Sequence, residues 1–194
     1  MVLALPIFNT EQTEQISTAT FFPFLNDEQC DQILADFLVE KPISAKIDGD
    51  VKDKRRETLV HPVPYDEKSE WLFKDIADRV ARYNQFGFDF DVSGIYHDLQ
   101  LLEYPEGGHY DWHMDIGPGE AAHRKLSVII QLSNPEDYEG GTTLFKASEK
   151  EHELPKKRGQ ICVFPSYVLH KVEPVTKGTR YALVTWVMSH RRFR

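Results

Sequence analysis

Hydrophobic positions along the chain change their period once. In the N-terminal part they recur at helical spacing: Cys30, Ile33, Leu34, Phe37 and Leu38 fall on one helical face. Asn26 stands ahead of them as a helix cap, and Gln29, three residues on, completes the residue pair of a capping box. A second stripe of Leu72, Ile76, Val80 and Tyr83 predicts a helix that starts at Asp66 and ends near Gly87. From Phe88 onward the pattern turns to strands. Phe88 to Val92, Gly94 to Tyr104, Tyr110 to Met114, Lys125 to Leu132, Thr142 to Phe145, Gln160 to Phe164, His170 to Glu173 and Thr179 to Met188 are rich in β-branched and aromatic residues and bounded by turn formers. Helices first and strands afterwards predict a mostly β fold, a sandwich or jelly roll with N-terminal helices on one outer face.

Between the helices, Ile47 to Thr58 reads IDGDVKDKRRET, a charged stretch broken by Gly49. A solvated loop or hairpin tip and a mobile flap over a site both fit it. No repeat, low-complexity run or Pro/Gly/Ser-rich linker divides the 194 residues, so one domain is expected. The formal charge of -8 argues against nucleic acid as a partner, because such binding relies on phosphate neutralisation. The apolar run from Met1 to Phe8 is too short to span a bilayer and has no basic flank, so no membrane partner is expected. Cys30 and Cys162 lie far apart in sequence and imply neither a zinc knuckle nor a disulfide framework. The expectation is a soluble, cytoplasmic, monomeric protein.

Chemistry concentrates in Gly107 to Asp115, GGHYDWHMD. Residues two apart on a strand share a face, so His113 and Asp115 project together and can hold one metal ion. His109 and Asp111 have the same spacing, and the residues alone leave both registers open. His170, in FPSYVLHKVEP, comes from a different strand. Two histidines and a carboxylate compose the facial triad of non-haem Fe(II) oxygenases, which leaves coordination positions open. Arg180 opens TRYALVTWVM, where Arg180, Ala182, Val184 and Trp186 share one face, Tyr181, Leu183, Thr185 and Val187 the other. Both faces are largely apolar, which predicts a central, doubly buried strand. A buried arginine needs an anion, either a structural Asp or Glu or the carboxylate of a ligand. Tyr96, Asp98, Gln100 and Tyr104 share a polar face that meets either a lined cavity or water.

The ordered segments LLEYPEGGHYDWHMD, KLSVIIQLSNPEDYEGG, GQICVFPSYVLHKVEPV and GTRYALVTWV resemble the Fe(II)/2-oxoglutarate-dependent dioxygenases, and within them the prolyl 4-hydroxylase-like branch of small bacterial type. The resemblance runs from about Phe22 to Val187. It implies a double-stranded β-helix (jelly-roll, cupin-like) core at about 88–188, helical support at about 22–86 and a basic tail at 189–194 within one domain, 1–194. The family places a tyrosine three residues before its metal histidine, which selects Tyr110 and the ligands His113, Asp115 and His170. It implies that Tyr104 and Arg180 hold the distal carboxylate of 2-oxoglutarate and that Tyr110 and Trp186 line the substrate side. Two positions depart from the pattern. Gln131 stands where many relatives have a tyrosine and could donate an amide N–H to the cosubstrate instead, and Val184 stands where some have a hydroxyl residue. YEGG, with Gly140 and Gly141, is expected to serve a tight turn.

The implied reaction converts 2-oxoglutarate and O2 to succinate and CO2 while hydroxylating an unactivated C–H. The substrate implied first is a prolyl residue in a peptide or protein, as for a procollagen-proline 4-dioxygenase. Ascorbate would keep the iron ferrous. The 46–57 loop and the tail SHRRFR could clamp a chain, or both could simply be solvated. The alternatives are a hydroxylase of a free amino acid or other small metabolite, and a non-catalytic metal-binding module. A nucleic-acid dealkylase would carry a second arginine where Trp186 stands, and a zinc hydrolase would carry an HExxH helix, which is absent.

Overall fold

A computed structural model describes residues 14–16, 19–38, 41–44, 55–146 and 150–193. In chain order its strands and helices are β1 (Glu14–Ile16), β2 (Ala19–Pro23), α1 (Asp27–Phe37), β3 (Ile43–Ser44), β4 (Arg56–Glu57), β5 (Leu59–Val63), α2 (Glu70–Tyr83), β6 (Leu99–Tyr104), β7 (His109–His113), β8 (Arg124–Gln131), β9 (Tyr138–Gly140), β10 (Thr143–Lys146), β11 (Glu151–Glu153), β12 (Gln160–Pro165), β13 (Leu169–Val172), β14 (Val175–Gly178) and β15 (Arg180–Met188). All strand pairs are antiparallel. A large sheet runs β1-β2-β12-β8-β15-β6-β5-β3, a smaller one runs β11-β10-β13-β7-β4, and β9 pairs with β14. The two main sheets carry the double-stranded β-helix expected from the sequence.

The capping box at Asn26 is present: its side chain accepts from Gln29 N at 2.8 Å while Gln29 Oε1 accepts from Asn26 N at 3.0 Å. Cys30, Ile33 and Phe37 of α1 and Leu72, Ile76 and Val80 of α2 are buried against Leu101, Ile130, Leu183 and Val187 of the large sheet. That packing covers the outer face of the sheet, and the other face of β15 turns inward. Arg180 and Ala182 are buried there, and Val184 and Trp186 line a cavity. β15 lies between β8 and β6, the central and doubly buried strand that its sequence predicts.

Four expectations change. The strand expected over Gly94 to Tyr104 begins only at Leu99, and Gly94 makes just an isolated bridge to Met188. Asp66 does not open α2 but forms a turn in which its carboxylate accepts from the backbone N–H of Lys68 and Ser69, so the helix begins at Glu70. Phe88 to Val92 is not a strand. A π-helical turn at Asn84–Phe88 precedes it, and the buried Asn84 side chain bonds both the N–H and the C=O of Phe90, replacing a ladder partner. The tail is not free: Phe193 meets Phe90 at 5.7 Å and Tyr167 at 5.6 Å between ring centroids, and Ser189 and Arg191 reach Asp91. Aromatic edge contacts of this kind hold 189–193 against the body.

The short strands β3, β4, β9, β11 and β14 escape the sequence pattern, because two to four residues are too few to show a period. Of the charged stretch, 45–54 lies outside the described residues; its end, Arg56–Glu57, pairs with β7. Met1 to Phe8 also lies outside them.

Candidate active site

Strand pairing brings the candidate ligands together. β7 and β13 are neighbours, and His113 lies directly opposite His170 across the ladder. Asp115 follows just past the end of β7, where its backbone N–H donates to Ser166 O at 2.9 Å. One ligand atom from each of His113, Asp115 and His170 lies within 4.8 Å of the others. Asp115 Oδ1 is 3.8 Å from His113 Nε2, and Oδ2 is 3.7 Å from His170 Nε2.

The other ring nitrogens are already committed. His113 Nδ1 donates to Asp111 O at 2.8 Å and His170 Nδ1 to Val168 O at 2.9 Å, which fixes the tautomers and turns both Nε2 lone pairs toward Asp115. Burial, with His170 alongside, pushes His113 down to about 3, so its ring is neutral at pH 7. Burial pushes Asp115 the opposite way, but the two imidazoles, the Ser127 hydroxyl and the Trp186 indole outweigh it and hold the carboxyl below its usual range. Ser127 Oγ donates to Asp115 Oδ2 at 2.6 Å and is itself 3.0 Å from Ser166 Oγ. A neutral His113 imidazole beside an ionised carboxylate matches the protonation states that metal binding requires.

The second register does not assemble. His109 Nδ1 turns back to Gly107 O at 2.9 Å, and Asp111 is exposed and accepts from the N–H of Trp112.

Aromatic rings fix the site on both sides. Tyr110 stacks on His113, with centroids 3.4 Å apart and planes 12° from parallel. Phe164 meets His170 edge-on at 4.9 Å, and Phe145 lies 5.9 Å away. A cavity of about 510 Å³ opens on the triad and is lined among others by Tyr104, Tyr110, Ile129, Val184 and Trp186. Trp186 has a role the sequence did not indicate: its indole helps hold the Asp115 carboxyl below its usual range, and Arg124 lies on its face at 3.7 Å.

Arg180 stands directly opposite Tyr104 in the β15–β6 ladder, its guanidinium carbon 5.3 Å from the Tyr104 ring centroid. It is 2% exposed. Nε donates to Gln131 Oε1 at 3.2 Å and Nη2 to Thr143 Oγ1 at 3.2 Å, while Nη1 is buried with no partner. Gln131 was expected to donate to a cosubstrate, but its amide hydrogens meet Ser133 O at 3.2 Å and the Tyr138 hydroxyl at 3.1 Å. Its place is therefore behind Arg180.

Sequence reasoning missed Tyr138, Thr143 and Ser127. Tyr138 is buried beside Arg180, and burial pushes its phenol up, so the proton is retained. Thr143 supplies a hydroxyl near Arg180 where position 184 has none. The expected YEGG turn is real. Gly140 has φ +73°, and a Cβ there would fall 2.3 Å from Pro174 O; at Gly141, φ +58°, it would fall 3.2 Å from Arg180 Cδ.

A ferrous ion and 2-oxoglutarate fit these residues on two observations. Two imidazole nitrogens and a carboxylate oxygen converge on one point, the donor set of non-haem iron. A buried guanidinium N–H lacks an acceptor, which a ligand carboxylate would supply.

Residues 99–188 match the family model of the 2OG-Fe(II) oxygenase superfamily. The matched segment carries His113, Asp115, His170 and Arg180. A PKHD-type hydroxylase from a Synechococcus species is 35% identical over 99 residues, covering 49% of this chain and 44% of the relative. The chain thus spans less than half the length of the curated relatives it matches. In fold, it is similar to a Pseudomonas putida prolyl-4-hydroxylase (TM-score 0.69, 20% identity, 88% of this chain and 92% of the other). It is also similar to a Trichoplax adhaerens prolyl hydroxylase solved with a hypoxia inducible factor peptide fragment (TM-score 0.75, 20% identity, 89% and 84%). Among the described residues, no helix is long and apolar enough to cross a membrane.

Proposed function

We propose that the chain is an Fe(II)- and 2-oxoglutarate-dependent dioxygenase, a single domain that hydroxylates an unactivated C–H, with a prolyl residue of a peptide or protein as the first substrate to test. The observation that carries the reading is the convergence of His113, Asp115 and His170 ligand atoms within 4.8 Å of one another. When bound, iron together with 2-oxoglutarate supplies an oxidant made from O2, and the cosubstrate leaves as succinate and CO2; ascorbate would serve as reductant.

The residues of this chain prepare that chemistry. His113 and His170 present Nε2 because Asp111 O and Val168 O hold their Nδ1 protons. Asp115 stays ionised, and Ser127 fixes one of its oxygens. Arg180 Nη1, buried without a partner, would hold the distal carboxylate of 2-oxoglutarate, with Tyr104 opposite Arg180 in the ladder. Gln131 and Thr143 orient that guanidinium by taking its other N–H groups. Tyr138 retains its proton, accepts from Gln131, and keeps its O–H to donate, which brings a phenol to the place that Gln131 leaves without one. Phe145, Phe164 and Tyr110 exclude water around the ligands. Tyr110 and Trp186 form the wall that substrate meets.

The test is succinate release from 2-oxoglutarate with Fe(II) and ascorbate, with and without proline-containing peptides, and mass analysis of each peptide. The reading expects succinate stimulated by a peptide that gains one oxygen atom. Iron bound without any succinate, across peptides and free amino acids, contradicts it and favours the non-catalytic module.

A further inference from the structure

The cavity over the triad continues into a second one of about 500 Å³, lined in part by Ile43, Val60 and Pro62. Four residues line both: Arg56, Gln100, Arg124 and Trp186. The two guanidiniums among them are held in an unusual way. Arg56 lies over Tyr110, its guanidinium carbon 4.7 Å from the ring centroid, and Arg124 lies over Trp186 at 3.7 Å. Among the described residues neither forms a salt bridge with a carboxylate. Arg124 Nη1 donates only to the backbone O of Asp115 at 3.1 Å, and Arg56 Nε is buried with no hydrogen-bond partner.

An arginine stacked on a ring spends its flat face and keeps its N–H edge available for in-plane acceptors, the geometry that suits a carboxylate. Two such edges stand between the triad cavity and its extension, in a protein whose formal charge is -8. Asp115 and Glu120 act on Arg124 through space but form no ion pair with it, so its N–H edge is not taken by a carboxylate. Asp111 accepts from its neighbour's backbone N–H, and Glu120, with a side chain 84% exposed, faces His97 at 3.8 Å. Asp98 and Glu120 line only the second cavity.

We propose that Arg56 and Arg124 form a carboxylate subsite at the mouth of the cavity, so that the substrate is anionic next to the carbon that is hydroxylated. The inference rests on reading the cavity as an oxygenase substrate site. The carboxylate comes from one of two sources: the α-carboxylate of a free or C-terminal amino acid, or an acidic side chain flanking the reacting residue. The apolar lining at Ile43, Val60 and Pro62 would take the uncharged part of such a substrate.

The experiment uses two matched probe pairs. N-acetylproline against N-acetylprolinamide reports an α-carboxylate, and acetyl-Ala-Pro-Glu-amide against acetyl-Ala-Pro-Gln-amide reports an acidic side chain. Binding is measured calorimetrically to protein loaded with Fe(II) and 2-oxoglutarate under nitrogen, and the same mixtures are then assayed for succinate in air. The carboxylate member of one pair is expected to bind roughly tenfold or more tightly than its neutral partner, and the pair that discriminates identifies the source. Arg56→Gln should erase the difference. Arg56→Glu should favour acetyl-Ala-Pro-Lys-amide over the Glu peptide, a reversal that misfolding cannot produce. No discrimination in either pair, discrimination that survives both Arg56 variants, or an oligothymidylate that competes as well as the acidic probes overturns the proposal. Succinate formation without discrimination sinks this inference alone. Discrimination without succinate leaves the subsite standing and sinks the oxygenase reading.

Discussion

Arg180, paired across the ladder from the cavity-lining Tyr104, is oriented by neutral oxygens of Gln131 and Thr143, whereas Arg56 and Arg124, which line the cavity, are oriented by the faces of Tyr110 and Trp186. Among the described residues neither arrangement pairs a guanidinium with a carboxylate in a salt bridge, although Asp115 and Glu120 act on Arg124 through space, and both arrangements suit an anionic ligand. They differ in what fixes them. Arg180 sits on the central strand of the large sheet, opposite Tyr104 in a regular ladder, so its position is set by backbone pairing that buries both faces. Arg56 belongs to a two-residue edge strand, and Arg124 stands at the start of β8. The surroundings of Arg180 are suited to one constant cosubstrate. The mouth, built from edges and ring faces, is where substrate preference can be set without disturbing the iron site.

Substitutions can break this comparison at graded strength. His113→Ala or His170→Ala should remove iron-dependent succinate formation altogether, since each deletes a ligand of the metal site. Arg180→Met comes next: losing a charge-assisted pair of about 1.5–3 kcal/mol should raise the 2-oxoglutarate requirement by about 10- to 100-fold, read from steady-state KM. Ser127→Ala should weaken Fe(II) binding by roughly tenfold, because a hydroxyl that orients a ligating carboxylate is lost; a metal-competition titration measures it. Thr143→Val and Gln131→Met each remove a neutral partner of Arg180 and should raise the 2-oxoglutarate KM several-fold, by about 0.5–1.5 kcal/mol, with iron affinity retained. His109→Ala should be the mildest. If it damaged metal binding as much as His113→Ala, the ligand register would be wrong.

The parts of the molecule legible in the sequence are those whose signal is local. The capping box at Asn26, the buried stripes of α1 and α2 and the long strands β8, β12 and β15 follow from spacing alone. His113 and Asp115 are close in sequence, and His170 came within reach through the family resemblance. The residues that escaped are joined only by strand order. Thr143 reaches Arg180 from β10, in the other sheet, and Ser127 reaches Asp115 from β8. Nothing local distinguishes either from an ordinary strand residue. Tyr138 had a readable signal, an aromatic two residues before a Gly-Gly turn, but its contact with Gln131 depends on how that turn folds back over β8. Phe88 to Val92 misled for a related reason. Its alternating aromatics look like a strand, but they pack against one another and against Phe193, while Asn84 takes over the backbone of Phe90.

The most direct test of the account is an anaerobic titration of the protein with Fe(II) and then 2-oxoglutarate, followed by the charge-transfer absorption of a chelated ferrous ion. The account predicts a band that requires both additions, disappears in His113→Ala, survives in His109→Ala and needs more 2-oxoglutarate in Arg180→Met. A band that His113→Ala leaves unchanged, or that never forms although iron is bound, would contradict it.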